Sequence, residues 1–248
     1  MKLVKRTAST LFLIWSFLIL IFLMILVLPF IVICSALFNG KKASDAIFFF
    51  LRIWGWIFCF LCFFKIRVQK ESSFTPGKAY IYICNHNSYL DAIAIVIAIQ
   101  ESFNPLGKIE MAKIPLFGII YRRVVVMIER ENKESRAKGF QDLKEGLIKG
   151  QSILIFPEGT MNCSDKALAD FYDGAFRLAI ETQTPIAPVV ILNTRNLFSR
   201  ANPLNARPGT ITCILDETVE VSGLVPEDIK SLKAQVFRRM ESLIEKRI

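Results

Sequence analysis

Histidine is nearly absent: the 248 residues contain one, His86, which excludes a Cys2His2 or multi-histidine metal site. Cysteine is sparse. Cys34, Cys59, Cys62, Cys84, Cys163 and Cys213 are too few and too scattered for a disulfide scaffold. Charged residues are only 21% of the chain against 53% hydrophobic, which excludes a disordered polypeptide. There is no internal repeat and no low-complexity linker. The length suits one good-sized domain with an appendage rather than several domains.

The most local absence is charge between Thr7 and Gly40, where Leu11 to Ile33 is almost wholly apolar. A bilayer core takes roughly 20 residues of helix, so this run is long enough to span. Lys2, Lys5 and Arg6 ahead of it resemble the positive front of a cleaved leader. The apolar run, however, exceeds the about 7–15 residues of a leader's core, and no A-x-A pattern follows. A second apolar stretch, Ala46 to Phe64, is interrupted by Arg52. Either it spans with Arg52 snorkelling to the head groups, or both stretches form a shallow hairpin in one leaflet. Basic residues before the first stretch and after the second (Lys65, Arg67, Lys70) favour a hairpin with both ends cytoplasmic, while Lys41 and Lys42 in the turn oppose it. Cys59 and Cys62, inside the second stretch, read as buried small hydrophobes.

The chain therefore divides into a hydrophobic two-helix membrane segment, 1–66, and a domain, 67–248, with the composition of an α/β protein. Strands are expected at Ala79–Cys84, Ser152–Phe156, Ile186–Leu192 and Thr210–Leu215, with a β-branched run at Arg123–Ile128. Helices are expected at Asp91–Gln100, Asn132–Lys149, Asp170–Glu181 and from Pro226 onward, the last burying Ile229, Leu232, Val236, Leu243 and Ile244. Alternating strands and helices predict an α/β fold with a mixed, largely parallel sheet flanked by helices. The 31 Lys and Arg against 22 Asp and Glu give 31 − 22 = +9. Those charges do not interleave with aromatics, so anionic lipid rather than nucleic acid is the expected partner.

Two motifs carry chemistry. His86 lies in Asn85-His86-Asn87-Ser88-Tyr89-Leu90-Asp91, after a strand and before a helix, so the Asp91 carboxylate can fold back across the turn to the imidazole. An acid that orients an imidazole makes it a competent general base. Phe156-Pro157-Glu158-Gly159-Thr160 also follows a strand and can offer backbone N–H and hydroxyl donors to an anion. Taken singly, the first reads as a surface ion pair and the second as a strand-terminating turn.

Together with the membrane segment, these residues resemble the lysophosphatidic acid acyltransferase family of glycerolipid acyltransferases, over about residues 65 to 215. The N-H-x4-D block is Asn85, His86 and Asp91. A second block is Lys108 and Lys113 before Pro115-Leu116-Phe117-Gly118, then Glu129-Arg130. The third is Phe156 to Thr160 followed by Phe171, Gly174 and Phe176, and the fourth is Thr184-Pro185-Ile186-Ala187-Pro188-Val189. The chain departs from the pattern at Met161, where Arg is common, and at Tyr172-Asp173, where a basic pair is frequent. Val124 stands in place of a glycine, and Glu129 in place of Asp.

The resemblance implies a membrane-bound transferase that moves a fatty acyl group from acyl-CoA or acyl-carrier protein to the hydroxyl of lysophosphatidic acid. His86 is then the base, Asp91 its orienter, and Asn85 a donor to the oxyanion. Pro188 shapes the acyl-donor side. Lys108, Lys113, Arg130, Glu158, Gly159 and Thr160 bind the acceptor, with Arg122 and Arg123 also in reach of that role. No cofactor and no metal are expected, and the implied location is the cytoplasmic face of a bacterial inner membrane. The departures leave open another lysolipid acceptor (a lyso-aminolipid or lysophospholipid), a thioesterase, or an inactive membrane scaffold.

Overall fold

The computed structural model describes residues 2–71, 74–75 and 77–247; the side chains of Lys2 and Lys5, part of the positive front, lie outside the described residues, as does that of Leu3. Contacts divide the chain into two compact units: Met1–Gln69 with His86–Glu101 and Ile191–Cys213, and Lys70–Asn85 with Ser102–Val190 and Ile214–Ile248.

The first unit opens with α1 (Lys2–Leu37) and α2 (Gly40–Leu61), packed on each other. Both are long and apolar enough to cross a membrane. Leu23, Met24, Val27 and Ile31 of α1 are buried, whereas Leu18, Phe22 and Ile25 are exposed. An outward apolar surface of that extent is tolerated in lipid and not in water. Phe30 stacks on Phe50 with ring centroids 4.9 Å apart, and the Trp15 indole N–H donates to the Leu61 carbonyl at 2.9 Å. Cys59 and Cys62 are buried, as their composition suggested.

Arg52 is held by the protein itself. Its guanidinium turns inward to α3 (Leu90–Ala98), donating from Nε to the Val96 carbonyl at 3.3 Å and from Nη2 to the Gln100 carbonyl at 2.9 Å. The last carbonyls of a helix lack intrahelical partners and carry the negative end of its dipole, so they draw a cation inward. The unit also contains α7 (Thr194–Leu197) and the adjoining strands β1 (Phe64–Lys70) and β7 (Gly209–Leu215), the last two residues of which fall in the second unit.

The second unit is built on β2 (Ile81–Cys84), β3 (Phe103–Lys108), β4 (Val126–Ile128), β5 (Ser152–Ile155) and β6 (Ile186–Leu192), ordered β6-β2-β5-β3-β4. Every one of these pairings is parallel, with Ile83 opposite both Ile155 and Pro188. An antiparallel bridge from Ile186 to Val219 makes the sheet mixed. Strands buried on both faces read as continuous apolar runs, which is why β2, β5 and β6 stood out in the sequence. Helices α5 (Lys133–Ile148), α6 (Gly174–Thr182) and α8 (Ile229–Glu245) pack around it. The expected largely parallel α/β architecture with two apolar leading helices is the one observed.

Three elements differ from expectation. Arg123–Ile128 is not one strand: residues 117–124 form α4 (Phe117–Val124), whose C-cap Val125 donates to the Tyr121 carbonyl, and only Val126–Ile128 extends. The helix expected from Asp170 begins at Gly174, because Ala169 N–H is held by the Glu158 carboxylate at 2.7 Å and Tyr172 N–H by the Pro157 carbonyl at 2.9 Å. Of the α8 stripe, Leu232, Val236 and Ile244 are buried together with Met240, while Ile229 and Leu243 are half-buried.

One ion pair is largely inside the protein. Arg239 on α8 binds the buried Asp216 carboxylate, with its second contact at 3.0 Å, and reaches Glu217 at 3.1 Å. The pairing raises the Arg239 pKa further. Arg239→Ala is expected to cost about 2–3 kcal/mol, read as a drop in thermal midpoint in detergent, since it removes the paired positive charge from a buried carboxylate, with the partner itself partly exposed.

Candidate active site

Parallel strands put their carboxyl ends on one edge, and that edge is where open α/β sheets carry their ligands. In the second unit Asn85 follows β2, Lys108 ends β3, Arg130 follows β4, and Glu158, Gly159 and Thr160 follow β5. Three of the four sequence-derived blocks thus share one sheet edge. Pro188 does not: it is buried within β6, opposite Ile83, and its carbonyl accepts from Asp216 N–H at 3.0 Å.

His86 is the residue after Asn85, and Asp91 lies in the first turn of α3. The Asp91 side chain is fully buried, which a lone carboxylate resists. Its Oδ2 accepts from Asn87 N–H at 2.6 Å and Ser88 N–H at 2.7 Å, and lies 2.9 Å from His86 Nδ1. Those two backbone donors at a helix N-terminus compensate the charge. A carboxylate only accepts, so Nδ1 carries the proton and Nε2 is the nitrogen able to take another. The His86 side chain keeps 18% of its surface exposed, enough to meet a substrate.

Ser88, inside the same motif, fixes the turn. It is buried, its hydroxyl donates to the Phe198 carbonyl at 2.6 Å, and its Oγ accepts from Leu90 N–H at 3.2 Å. The N-cap itself is Tyr89 and makes no side-chain cap bond, so Ser88 serves the helix start from one position further out than the usual capping residue. Cys213 lies in the same unit with Sγ 3.9 Å from the Ala94 carbonyl. Burial, reinforced by Asp91, pushes its thiol up to about 12, so it stays neutral beneath the pair. Nothing in its sequence surroundings signalled this.

The other turn is built differently from its sequence reading. Glu158 is 3% exposed and its carboxylate holds Ala169 N–H, so it braces the loop and does not face solvent; Thr160 is exposed. Asn162 closes the next bend, donating to the Lys166 carbonyl at 3.0 Å and accepting from Ser164 N–H at 2.9 Å. Gly159 adopts φ +69, and a Cβ there would meet the Tyr172 ring at 2.7 Å. Gly159→Ala should therefore cost about 1–2 kcal/mol from the backbone alone, plus a clash that Tyr172→Ala in the same chain relieves. Thermal midpoints of the three variants separate the two parts.

Among the basic candidates, Lys108 pairs with Glu110 at 3.1 Å, and Tyr121 donates to the Lys108 carbonyl at 3.0 Å. Burial pushes the Tyr121 hydroxyl up to about 12, which keeps it a donor. Lys113 and Arg130 are exposed, and the Arg130 carbonyl accepts from Arg136. Asp173, in place of a basic residue, is paired with Lys233.

A family model described as Acyltransferase matches residues 65–192. A 1-acyl-sn-glycerol-3-phosphate acyltransferase of Haemophilus influenzae is 32% identical over 66% of this chain and 68% of its own length. One from Chlamydomonas reinhardtii is 30% identical over 63% of this chain and 47% of its own, and the alpha form of Mus musculus is 25% identical over 71% and 62%. The chain thus spans about half to two thirds of the length of these relatives. In fold it is similar to the crystal structure of the 1-acyl-sn-glycerophosphate (LPA) acyltransferase PlsC from Thermotoga maritima, with a TM-score of 0.82, 21% identity and coverage of 98% and 97%. The chain belongs to the acyltransferase family, and within it to the 1-acyl-sn-glycerol-3-phosphate acyltransferases.

Proposed function

We propose that this protein transfers a fatty acyl group from an acyl thioester, acyl-CoA or acyl-carrier protein, to the free hydroxyl of lysophosphatidic acid, forming phosphatidic acid. The observation that carries the reading is the 2.9 Å contact between His86 Nδ1 and the buried Asp91 carboxylate, which leaves Nε2 to act as base. The names of the relatives point to the same acceptor. Nε2 removes the hydroxyl proton as that oxygen attacks the thioester carbonyl. The C–S bond then breaks, and the thiolate leaves with the proton returned from the imidazolium. Asp91 stabilises the transient positive charge, and Asn85 or a neighbouring backbone N–H faces the oxyanion. No acyl-enzyme is needed, since the lipid hydroxyl is itself the nucleophile. Helices α1 and α2 hold the site at the leaflet where acceptor and product reside, on the cytoplasmic face of a bacterial inner membrane.

A second reading keeps this chemistry and changes the acceptor to a lyso-aminolipid or another lysophospholipid. It is favoured by Met161 and by the Asp173–Lys233 pair, which leave two positions without free positive charge. Mass spectrometry of products from a panel of lysophosphatidic acid, lysophosphatidylethanolamine and a lyso-aminolipid, each with both donors, decides between them. Phosphatidic acid as the main product supports the first reading. Product from another acceptor alone supports the second, and free fatty acid without acceptor indicates a thioesterase.

A further inference from the structure

We infer that Arg52, in the second membrane helix, is a positioning residue for the His86–Asp91 pair, acting through helix α3; the inference rests on the base assigned above. Helix α3 has nine residues, about 13 Å at 1.5 Å per residue, and Asp91 sits in its first turn. Arg52 grips its other end, with bonds to the carbonyls of Val96 at 3.3 Å, Ile99 at 3.4 Å and Gln100 at 2.9 Å. The short helix is thus held between a carboxylate at its N-terminus and a guanidinium at its C-terminus, each matching the local sign of the dipole.

Three residues further along α2, on the same helical face, is Gly55. A Cβ at Gly55 would lie 3.2 Å from Ile97 Cγ1 and 3.6 Å from Ile93 Cγ2, so α2 and α3 pack closely there and leave no space for more than a methyl group. Close packing fixes the separation of the two helices, and the arginine fork fixes α3 along its own axis. A charged group in so apolar a helix is costly unless it has a use. Here it sets the position of the helix that carries Asp91, the carboxylate that orients the base. A displacement of 1 Å at a reacting group costs about 100-fold in rate. The second apolar helix is therefore part of the catalytic apparatus as well as an anchor.

The test uses the full chain in detergent, with a short-chain monomeric lysophosphatidic acid and acyl-CoA, so that membrane recruitment plays no part. If the panel shows another acceptor, its short-chain form is substituted. Arg52→Met, which keeps the length and loses the donors, should lower kcat about 10- to 100-fold with acceptor KM within about twofold. Arg52→Lys, which restores charge and donors without the fork, should recover part of that loss and no more. In a His86→Ala background, Arg52→Met should change the residual rate by less than about twofold, because its effect passes through the histidine. A general folding defect would instead lower both backgrounds alike and leave Arg52→Lys unrescued.

Unchanged kcat in Arg52→Met with a silent His86→Ala overturns the positioning role and leaves the base intact. Full activity in His86→Ala overturns the base itself. If Arg52→Met is not monodisperse, Gly55→Val decides, since its two added methyl groups exceed the space beside Ile97 and push α3 away with Arg52 in place: a severalfold fall in kcat at constant KM supports the inference, and wild-type kcat overturns it.

Discussion

Replacing His86 by alanine is expected to lower kcat by about 10²–10⁴, the range for loss of a positioned general base, while the protein keeps its thermal midpoint. The effect on chemistry and the effect on fold separate because of how the imidazole is held. Its Nδ1 meets Asp91 Oδ2, but that oxygen also takes two backbone N–H groups, at 2.6 and 2.7 Å, and these remain in the variant. The buried carboxylate is then still compensated, and the turn is still fixed by Ser88 and its bond to the Phe198 carbonyl. What disappears is the nitrogen that accepts the hydroxyl proton. Initial rates of thiol release in the presence of acceptor, with circular dichroism melts of both proteins, measure the two quantities independently. A variant that turned over within about threefold of wild type would show that the substrate hydroxyl needs no base from this position.

The pairing of His86 with Asp91 was legible because five residues across a strand-to-helix turn is a local relationship, set by the backbone itself. The parallel sheet was legible for the same kind of reason at β2, β5 and β6, whose continuous apolar runs belong to strands covered on both faces. Strand β3 was not, since Phe103-Asn104-Pro105-Leu106-Gly107-Lys108 contains the two residues least suited to a strand, and only its pairing with β4 and β5 extends it. The late start of α6 was hidden because its cause is tertiary: Glu158 lies 11 residues upstream of the amide it holds. Arg52 was the least legible of all. Taken alone, a charge in an apolar stretch suggests snorkelling to water, and nothing in the local sequence reveals that a second helix ends beside it with open carbonyls.

Asp91→Asn is expected to cost roughly 10³-fold in kcat, with the fold retained, and it tests whether the carboxylate orients the base or merely fills a buried space. An asparagine carbonyl can still accept from Asn87 and Ser88 N–H, so the turn survives. The amide has no charge to offer the imidazolium that forms as the proton is taken. Asp91→Ala differs in a measurable way: it leaves both buried N–H groups without an acceptor and should also lower the thermal midpoint, since each orphaned donor costs about 1–3 kcal/mol. Similar activity losses with a melting difference between the two variants would assign Asp91 both roles, the catalytic one through its charge and the structural one through Oδ2. An Asp91→Asn protein with near wild-type kcat would mean that His86 keeps its tautomer and its proton affinity without the carboxylate, and the pair would then be only a structural clasp for the turn.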